Sequence, residues 1–362
     1  MNEQVAGALK EHLADVVPPP GDLARVVQRG RSLRRRRRAR HGVGVVAALA
    51  AVWFGATSLV PGAGERAEDQ YAPVGPLDMS GGLRAYADPG VEIHLGGRTF
   101  DADELGQLDT DAVATPHGVV FYDAGRPMLL NGDGVVEALV DGSIDRDPDF
   151  HPTAKVDPIR DEVAVAVLDD GHAVITVRDL GTGQAVHEYT TACDPCAGVV
   201  IDAYDEGVLY LRNGGSTEAV ILESDEVVDL GRDVRIADVR AGVVLYSGAV
   251  PTPDPAGRRD WIFVDGAIDG QLTLDGAHVL AWSSRLEPTD PAGVPVLLDV
   301  GPTDGSLGFW AMDTDGSVLV AAPDGKYPHY TVQDCEIPSG TCTELGPLRP
   351  TGGDPAFIGS DM

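Results

Sequence analysis

Glu162-Val-Ala-Val-Ala-Val-Leu168, then Asp170-Gly171, then Ala173-Val-Ile-Thr-Val177, then Asp179-Leu-Gly-Thr-Gly183 and Gln184-Ala-Val-His187 follow one another without room for a helix. The two apolar runs are of strand length and rich in β-branched residues, which fit a pleated surface. Asp-Gly between them supplies the positive φ that a two-residue hairpin turn requires. The stretch therefore reads as consecutive antiparallel strands.

The same signature recurs along the chain. Gly118-Val-Val-Phe-Tyr122, Gly207-Val-Leu-Tyr-Leu211, Gly242-Val-Val-Leu-Tyr246, Trp261-Ile-Phe-Val264, His278-Val-Leu-Ala-Trp282 and Gly316-Ser-Val-Leu-Val320 are further strand-length runs. Turn pairs such as Asn131-Gly132, Asp133-Gly134 and Asp315-Gly316 separate them. Equivalent strands start at Gly118, Asp161, Gly207, Gly242, Gly276 and Gly316, spaced by 34 to 46 residues. An all-β meander with a degenerate repeat follows from this spacing.

One segment repeats the opening stretch more closely. Ile175-Thr-Val-Arg-Asp-Leu-Gly-Thr-Gly183 with Gln184-Ala-Val-His187 parallels Tyr330-Thr-Val-Gln-Asp-Cys-Glu-Ile-Pro-Ser-Gly340 with Thr341-Cys342-Thr343. In these motifs the chain resembles the outer hairpins of WD40-like and TolB-like β-propellers, where such a turn joins the last two strands of a blade. The Trp-Asp dipeptide of the strict WD40 pattern does not occur. The resemblance implies four-stranded blades around a central channel over residues 77–346, about seven at ~40 residues each, with six the alternative. Part of residues 77–100, including Val91-Glu-Ile-His-Leu95, would complete the last blade, leaving 347–362 as a C-terminal tail. A β-sandwich is the competing architecture.

Charge divides the chain. Residues 1–42 hold 10 Lys+Arg against 4 Asp+Glu, and the remainder 17 against 53, so a segment of +6 precedes one of −36. Nucleic acid is an unfavourable partner for the acidic part. Between them residues 42–64 carry no charge, and Val43-Gly-Val-Val-Ala-Ala-Leu-Ala-Ala-Val-Trp-Phe54 forms the apolar centre. About 19 residues at ~1.5 Å each match the ~30 Å hydrocarbon layer. Arg34, Arg35, Arg36, Arg37, Arg38 and Arg40 abut it on one side, and such an excess keeps that flank in the cytoplasm beside anionic lipid. The expectation is a single-pass signal anchor: a cytoplasmic tail at 1–41, a span at 42–61, a linker at 62–76 and an exported domain beyond. A cleaved signal peptide would need a charged leader some 40 residues long, and the arginine run lacks a twin-arginine context. With the anchor, the chain looks like the membrane-anchored propeller proteins common in actinobacteria.

Within the tail, Val5, Leu9, Leu13 and Val16 recur at helical spacing until Pro18-Pro19-Pro20, and Asp22 could cap a second helix holding Leu23, Val26 and Val27. An amphipathic stretch on the inner leaflet is preferred to a docking face for a cytoplasmic partner.

All four cysteines lie beyond the apolar segment. Cys193-Asp-Pro-Cys196 could be a redox pair, half a zinc site or a local disulfide. Zinc wants four ligands, and a thioredoxin-like pair wants a following helix where Gly198-Val-Val-Ile201 is strand-like. Structural disulfides are preferred, with Cys335 and Cys342 paired across the Pro338-Ser339-Gly340 turn. Asp145, Asp147 and Asp149 alternate as calcium ligands can, but Arg146 and Pro148 spoil a calcium loop, and Asp313-Thr-Asp-Gly316 is more economically a turn. His151 and His172 read as loop residues. The chain shows no nucleophile elbow, metalloprotease helix or phosphate loop. No catalytic residue, cofactor or metal is therefore assigned. The expected function is an extracytoplasmic binding or scaffold module for a protein, peptide or glycan. A signalling component of anti-sigma-like layout is the first alternative, and a propeller lyase or hydrolase the second.

Overall fold

A computed structural model divides the chain into two compact units, Met1–Arg66 and Ala67–Met362. It describes residues 77, 81–88, 92–101, 112–123, 125–140, 153–157, 160–193, 196–252, 261–266, 270–281, 283–301, 309–323, 329–348 and 356–358. The first unit, with the tail, the arginines and the proposed span, lies outside these residues, as do Asp145, Asp147, Asp149 and His151. Among the described residues no helix is long and apolar enough to cross a membrane.

The second unit is a seven-bladed β-propeller. Its first blade contains β1 (Tyr86–Asp88), β2 (Glu92–Leu95) and β3 (Arg98–Asp101). The second is β4 (Val113–Thr115), β5 (Gly118–Asp123), β6 (Arg126–Asn131) and β7 (Val136–Ala138). The third is β8 (Lys155–Asp157), β9 (Glu162–Asp169), β10 (His172–Asp179) and β11 (Gln184–Ala192). A 3-10 turn at Cys196–Gly198 leads to the fourth: β12 (Val200–Asp205), β13 (Val208–Asn213), β14 (Ser216–Ile221) and β15 (Glu226–Arg232). The fifth has β16 (Val234–Arg240), β17 (Val243–Gly248) and β18 (Ile262–Asp265). The sixth is β19 (Gln271–Leu272), β20 (His278–Leu280), β21 (Arg285–Pro288) and β22 (Val296–Leu297). The seventh is β23 (Phe309–Met312), β24 (Val318–Pro323), β25 (Tyr330–Cys335) and β26 (Cys342–Leu348). Finally β27 (Ala356–Phe357) returns to the first blade and pairs with β1.

The six starts read from the sequence all mark the second strand of a blade. Each follows a turn with positive φ: 141° at Gly118, 56° at Asp161, 76° at Gly207, 80° at Gly242, 71° at Gly276 and 93° at Gly316. The hairpins with residues 179–184 and 335–342 join the last two strands of the third and seventh blades, as the resemblance implied. Gly340 is required twice over in the second hairpin. Its φ is +72°, and a Cβ there would lie 2.0 Å from the Leu297 carbonyl of the preceding blade. Cys335 and Cys342 face each other and are bonded, as are Cys193 and Cys196.

Both faces of a blade are buried, which explains the near-continuous apolar runs. On β9, Val163 and Val165 pack toward the second blade, whereas Ala164, Ala166 and Leu168 pack toward the fourth. The described residues form seven apolar clusters, and each spans one interface between neighbouring blades.

Two features depart from the sequence expectation. The propeller does not end at 346: β26 runs to Leu348, and β27 sits inside the stretch assigned to a tail. A two-residue strand carries too little periodicity to be read. The fifth blade has three strands among the described residues, and β18 runs parallel to β17, with Val243 opposite Ile262 and Leu245 opposite Val264.

Phe357, 2% exposed among Ala311, Leu319, Ala321 and Tyr330 of the seventh blade, anchors the closing strand. Phe357→Ala is expected to cost ~3–5 kcal/mol, measured as a lower denaturant midpoint in equilibrium unfolding. An unchanged midpoint would mean that the ring does not depend on this strand.

Candidate functional site

The innermost strands β4, β8, β12, β16, β19 and β23 converge on the axis, where a cavity of about 60 Å³ is lined by Lys155, Tyr204, Asp238, Arg240, Gln271 and Asp313 among others. These polar side chains look at first like a binding or catalytic cluster. Their hydrogen bonds assign several of them elsewhere.

Four acceptors hold the backbone of the next blade. Asp202 on β12 receives the Ile236 N–H of β16 at 3.4 Å, and Asp238 on β16 receives the Leu272 N–H of β19 at 2.8 Å. Gln271 Oε1 on β19 receives the Met312 N–H of β23 at 3.0 Å. Asp313, just beyond β23, closes the circle by taking the Leu83 and Arg84 N–H groups at 2.9 and 2.8 Å. Asp202 and Asp238 are each also paired with an arginine, Arg212 and Arg240, at 3.0 Å. Burial first of all raises the carboxyl pKa of Asp202 and Asp313, and the hydrogen bonds they accept oppose that shift. Asp313 is thus a ring-closing acceptor within the turn expected from its sequence.

Other groups bridge the remaining interfaces. Arg98 of the first blade donates to the Gly132 carbonyl of the second. The Tyr122 hydroxyl of the second blade accepts the Ala166 N–H of the third at 2.9 Å and donates to its carbonyl at 3.2 Å. Between the third and fourth blades the Tyr204 hydroxyl donates to Glu162 at 2.5 Å, and Thr153 donates to the Ile201 carbonyl at 3.0 Å. Arg84 completes the seventh interface by ion pairing with Asp334 at 2.8 Å.

One buried carboxylate stands outside this network. Asp205, at the end of β12, is 4% exposed, and its Oδ1 has no hydrogen-bond partner among the described residues. Burial pushes its carboxyl up to about 7; Arg240 opposes the shift, and Asp157, Glu206 and Asp238 add to it. Arg240 Nη1 is committed to Asp238 Oδ1 at 3.0 Å and to the Val239 carbonyl at 2.7 Å. Asp205 lines a second cavity, of about 240 Å³, between the fourth and fifth blades.

Of the ring acceptors, Asp313 was singled out from the sequence, as part of a turn; Asp202, Asp238, Gln271 and also Asp205 were not. The available signal was a carboxylate inside an otherwise apolar strand, as in Val200-Ile-Asp-Ala-Tyr204 and Ile236-Ala-Asp-Val-Arg240. The candidates that were singled out do not meet at one place. The two disulfides lie in different blades, and His172 is an exposed hairpin residue bonded to the Asp170 carbonyl. No group of three or more His, Cys, Asp or Glu residues is placed to hold a metal among the described residues.

Asp205 has a defined effect on stability. An unfolded Asp titrates near ~3.9, so between about pH 4 and 7 the folded chain keeps a proton that the unfolded chain has lost. Stability should therefore fall as pH rises through this window, by up to ~1.4 kcal/mol per unit, and level off above it. Asp205→Asn should flatten the slope and raise the unfolding midpoint at pH 8. Denaturant titrations of both proteins from pH 5 to 8 measure this, and parallel curves would contradict it.

No protein-family model matches the chain, and no curated protein matches it either. Among solved structures it is similar to TolB from Acinetobacter baumannii, with 13% identity over 76% of this chain and a TM-score of 0.35. The match covers 66% of that protein, so this chain spans just under two thirds of its length. A putative TolB from Agrobacterium tumefaciens is similar at 12% identity, covering 68% of this chain and 87% of that one, with a TM-score of 0.31. A catalytically inactive virginiamycin B lyase from Staphylococcus aureus shows 8% identity, 78% and 91% coverage and a TM-score of 0.32. The fold assignment rests on the paired strands of the seven sheets and not on these distant likenesses.

Proposed function

We propose that this chain is a binding or scaffold module, held on the outer side of the cytoplasmic membrane by one span at residues 42–61 in the manner of membrane-anchored actinobacterial propellers. The observation that carries the binding role is the commitment of the axial acceptors. Asp202, Asp238, Gln271 and Asp313 hold neighbouring blades together, so their lone pairs serve the ring before any substrate. A cavity of about 60 Å³ on the axis accommodates a few waters or a small ion, and the rims and blade surfaces offer more room for larger ligands. The anchored placement is supported by the uncharged stretch, the six arginines before it, and the two disulfides, which persist in oxidising compartments.

Reporter fusions and partner capture test this reading. Alkaline phosphatase fused after Met362 should be active in intact cells, and replacing Arg34 to Arg38 and Arg40 by Glu should lower that activity. Proteins cross-linked to the outer domain should still be recovered after deletion of residues 1–33. Loss of every partner on that deletion would instead favour a signalling role for the tail, and an inactive phosphatase fusion would overturn the topology.

A further inference from the structure

The fifth blade breaks the antiparallel pattern of the ring. Because β18 is parallel to β17, it starts at the end of the blade where β17 starts, and the Ile262 N–H bonds the Gly242 carbonyl there at 3.0 Å. This places Trp261 beside the turn that joins β16 to β17, facing the fourth blade. Its ring lies 6.0 Å from that of Tyr210 and 6.1 Å from that of Phe263, which in turn lies 6.4 Å from Tyr246. A row of aromatic rings thus leads to the cavity of about 240 Å³ that Trp261 and Tyr210 share with Asp205, Glu206, Val208 and Val239.

We propose that this cavity between the fourth and fifth blades is a binding site for an organic cation, an ammonium head on a short apolar stem, with Asp205 as counter-ion and Trp261 as the aromatic wall. This assignment rests on reading the domain as a binding module and names the ligand chemistry. Asp205 lines the cavity as a buried carboxylate whose Oδ1 has no partner among the described residues, so its charge calls for a donor or a proton, and an ammonium group supplies three donors. Arg240 Nη1 is held by Asp238 and the Val239 carbonyl, and Asp205 Oδ1 receives no hydrogen bond from that side chain. Indole faces attract cations, and the Val208 and Val239 side chains suit the stem. The excess of acidic residues beyond the apolar segment draws cations toward the domain and repels anions.

Proton and ligand compete for the same carboxylate. The Arg160 guanidinium lies against Gly207, two residues on, and the groups whose charge acts on Asp205 are Asp157 on β8, Asp238 and Arg240 on β16, and Glu206 on its own turn. Three of these four are carboxylates, so they favour a positive occupant. Affinity should accordingly rise from pH 6 to pH 8, with proton release on binding at the lower pH.

Calorimetric titration of the full-length chain in a mild non-ionic detergent at pH 8 tests the site. The probes are n-butylammonium, tetramethylammonium and an end-blocked Gly-Lys-Gly peptide, with n-butanol as the neutral control. One saturable site per chain for a cation and none for n-butanol is expected. Asp205→Asn should weaken binding by ~30-fold and Trp261→Leu by ~5-fold. Strongest binding by the peptide assigns the head group to a lysine side chain, and strongest binding by a free amine assigns it to a small molecule; both uphold the site. The Asp205→Asn chain should unfold at the same or a higher temperature at pH 8, which separates loss of the site from loss of the fold. Absence of saturable heat from every cation, or wild-type affinity in Asp205→Asn, would overturn the proposal, while the topology and partner results would stand independently.

Discussion

Closing a ring of seven sheets requires every blade to hold its neighbour, including the seventh and the first, which the chain joins only through the short strand β27. In this chain a side chain of one blade reaches the backbone of the next: Asp202 to Ile236, Asp238 to Leu272, Gln271 to Met312, and Asp313 to Leu83 and Arg84. Each such bond to a charged acceptor contributes ~1.5–3 kcal/mol net, and its loss would leave a buried main-chain donor unsatisfied. The apolar clusters supply most of the driving force for packing, but they are non-directional. The directional acceptors set how far each inner strand is displaced along its neighbour. Asp313 matters most, because the Leu83 and Arg84 N–H groups it holds lie about 230 residues earlier in the chain.

This constraint shapes what the domain can do. Carboxylates near an axis suggest chemistry, yet these are occupied by main-chain donors and arginines. The groups left to act lie where the ring is least regular. The parallel strand of the fifth blade brings an indole to the cavity that Asp205 lines, a buried carboxylate whose Oδ1 has no partner among the described residues. Regular blades build the frame, and the irregular one supplies an unusual surface.

The repeat was legible because its mark is local. A residue with positive φ before an apolar strand at Gly118, Gly207 or Gly316 reflects turn chemistry, which neighbouring residues determine. β9 was legible as a strand for the same reason, since its length and its β-branched residues are local, whereas its burial on both faces came from the neighbouring blades. The ring acceptors were not legible. Nothing near Asp238 in sequence reveals that its partner is Leu272, and with 57 acidic residues a single Asp carries no weight. The parallel direction of β18 was hidden as well, because Trp261-Ile-Phe-Val264 reads the same in either orientation.

By itself the sequence determined the β class, the meander of hairpins, the places of the turns and the charge asymmetry, because propensity, turn conformation and net charge depend on residues close along the chain. The tertiary structure alone decided that Ala356–Phe357 closes the first blade, which acceptors lock the ring, and that Asp205 and Trp261 line one cavity between two blades. Those outcomes depend on contacts between distant segments, whose partners are chosen only when the ring forms.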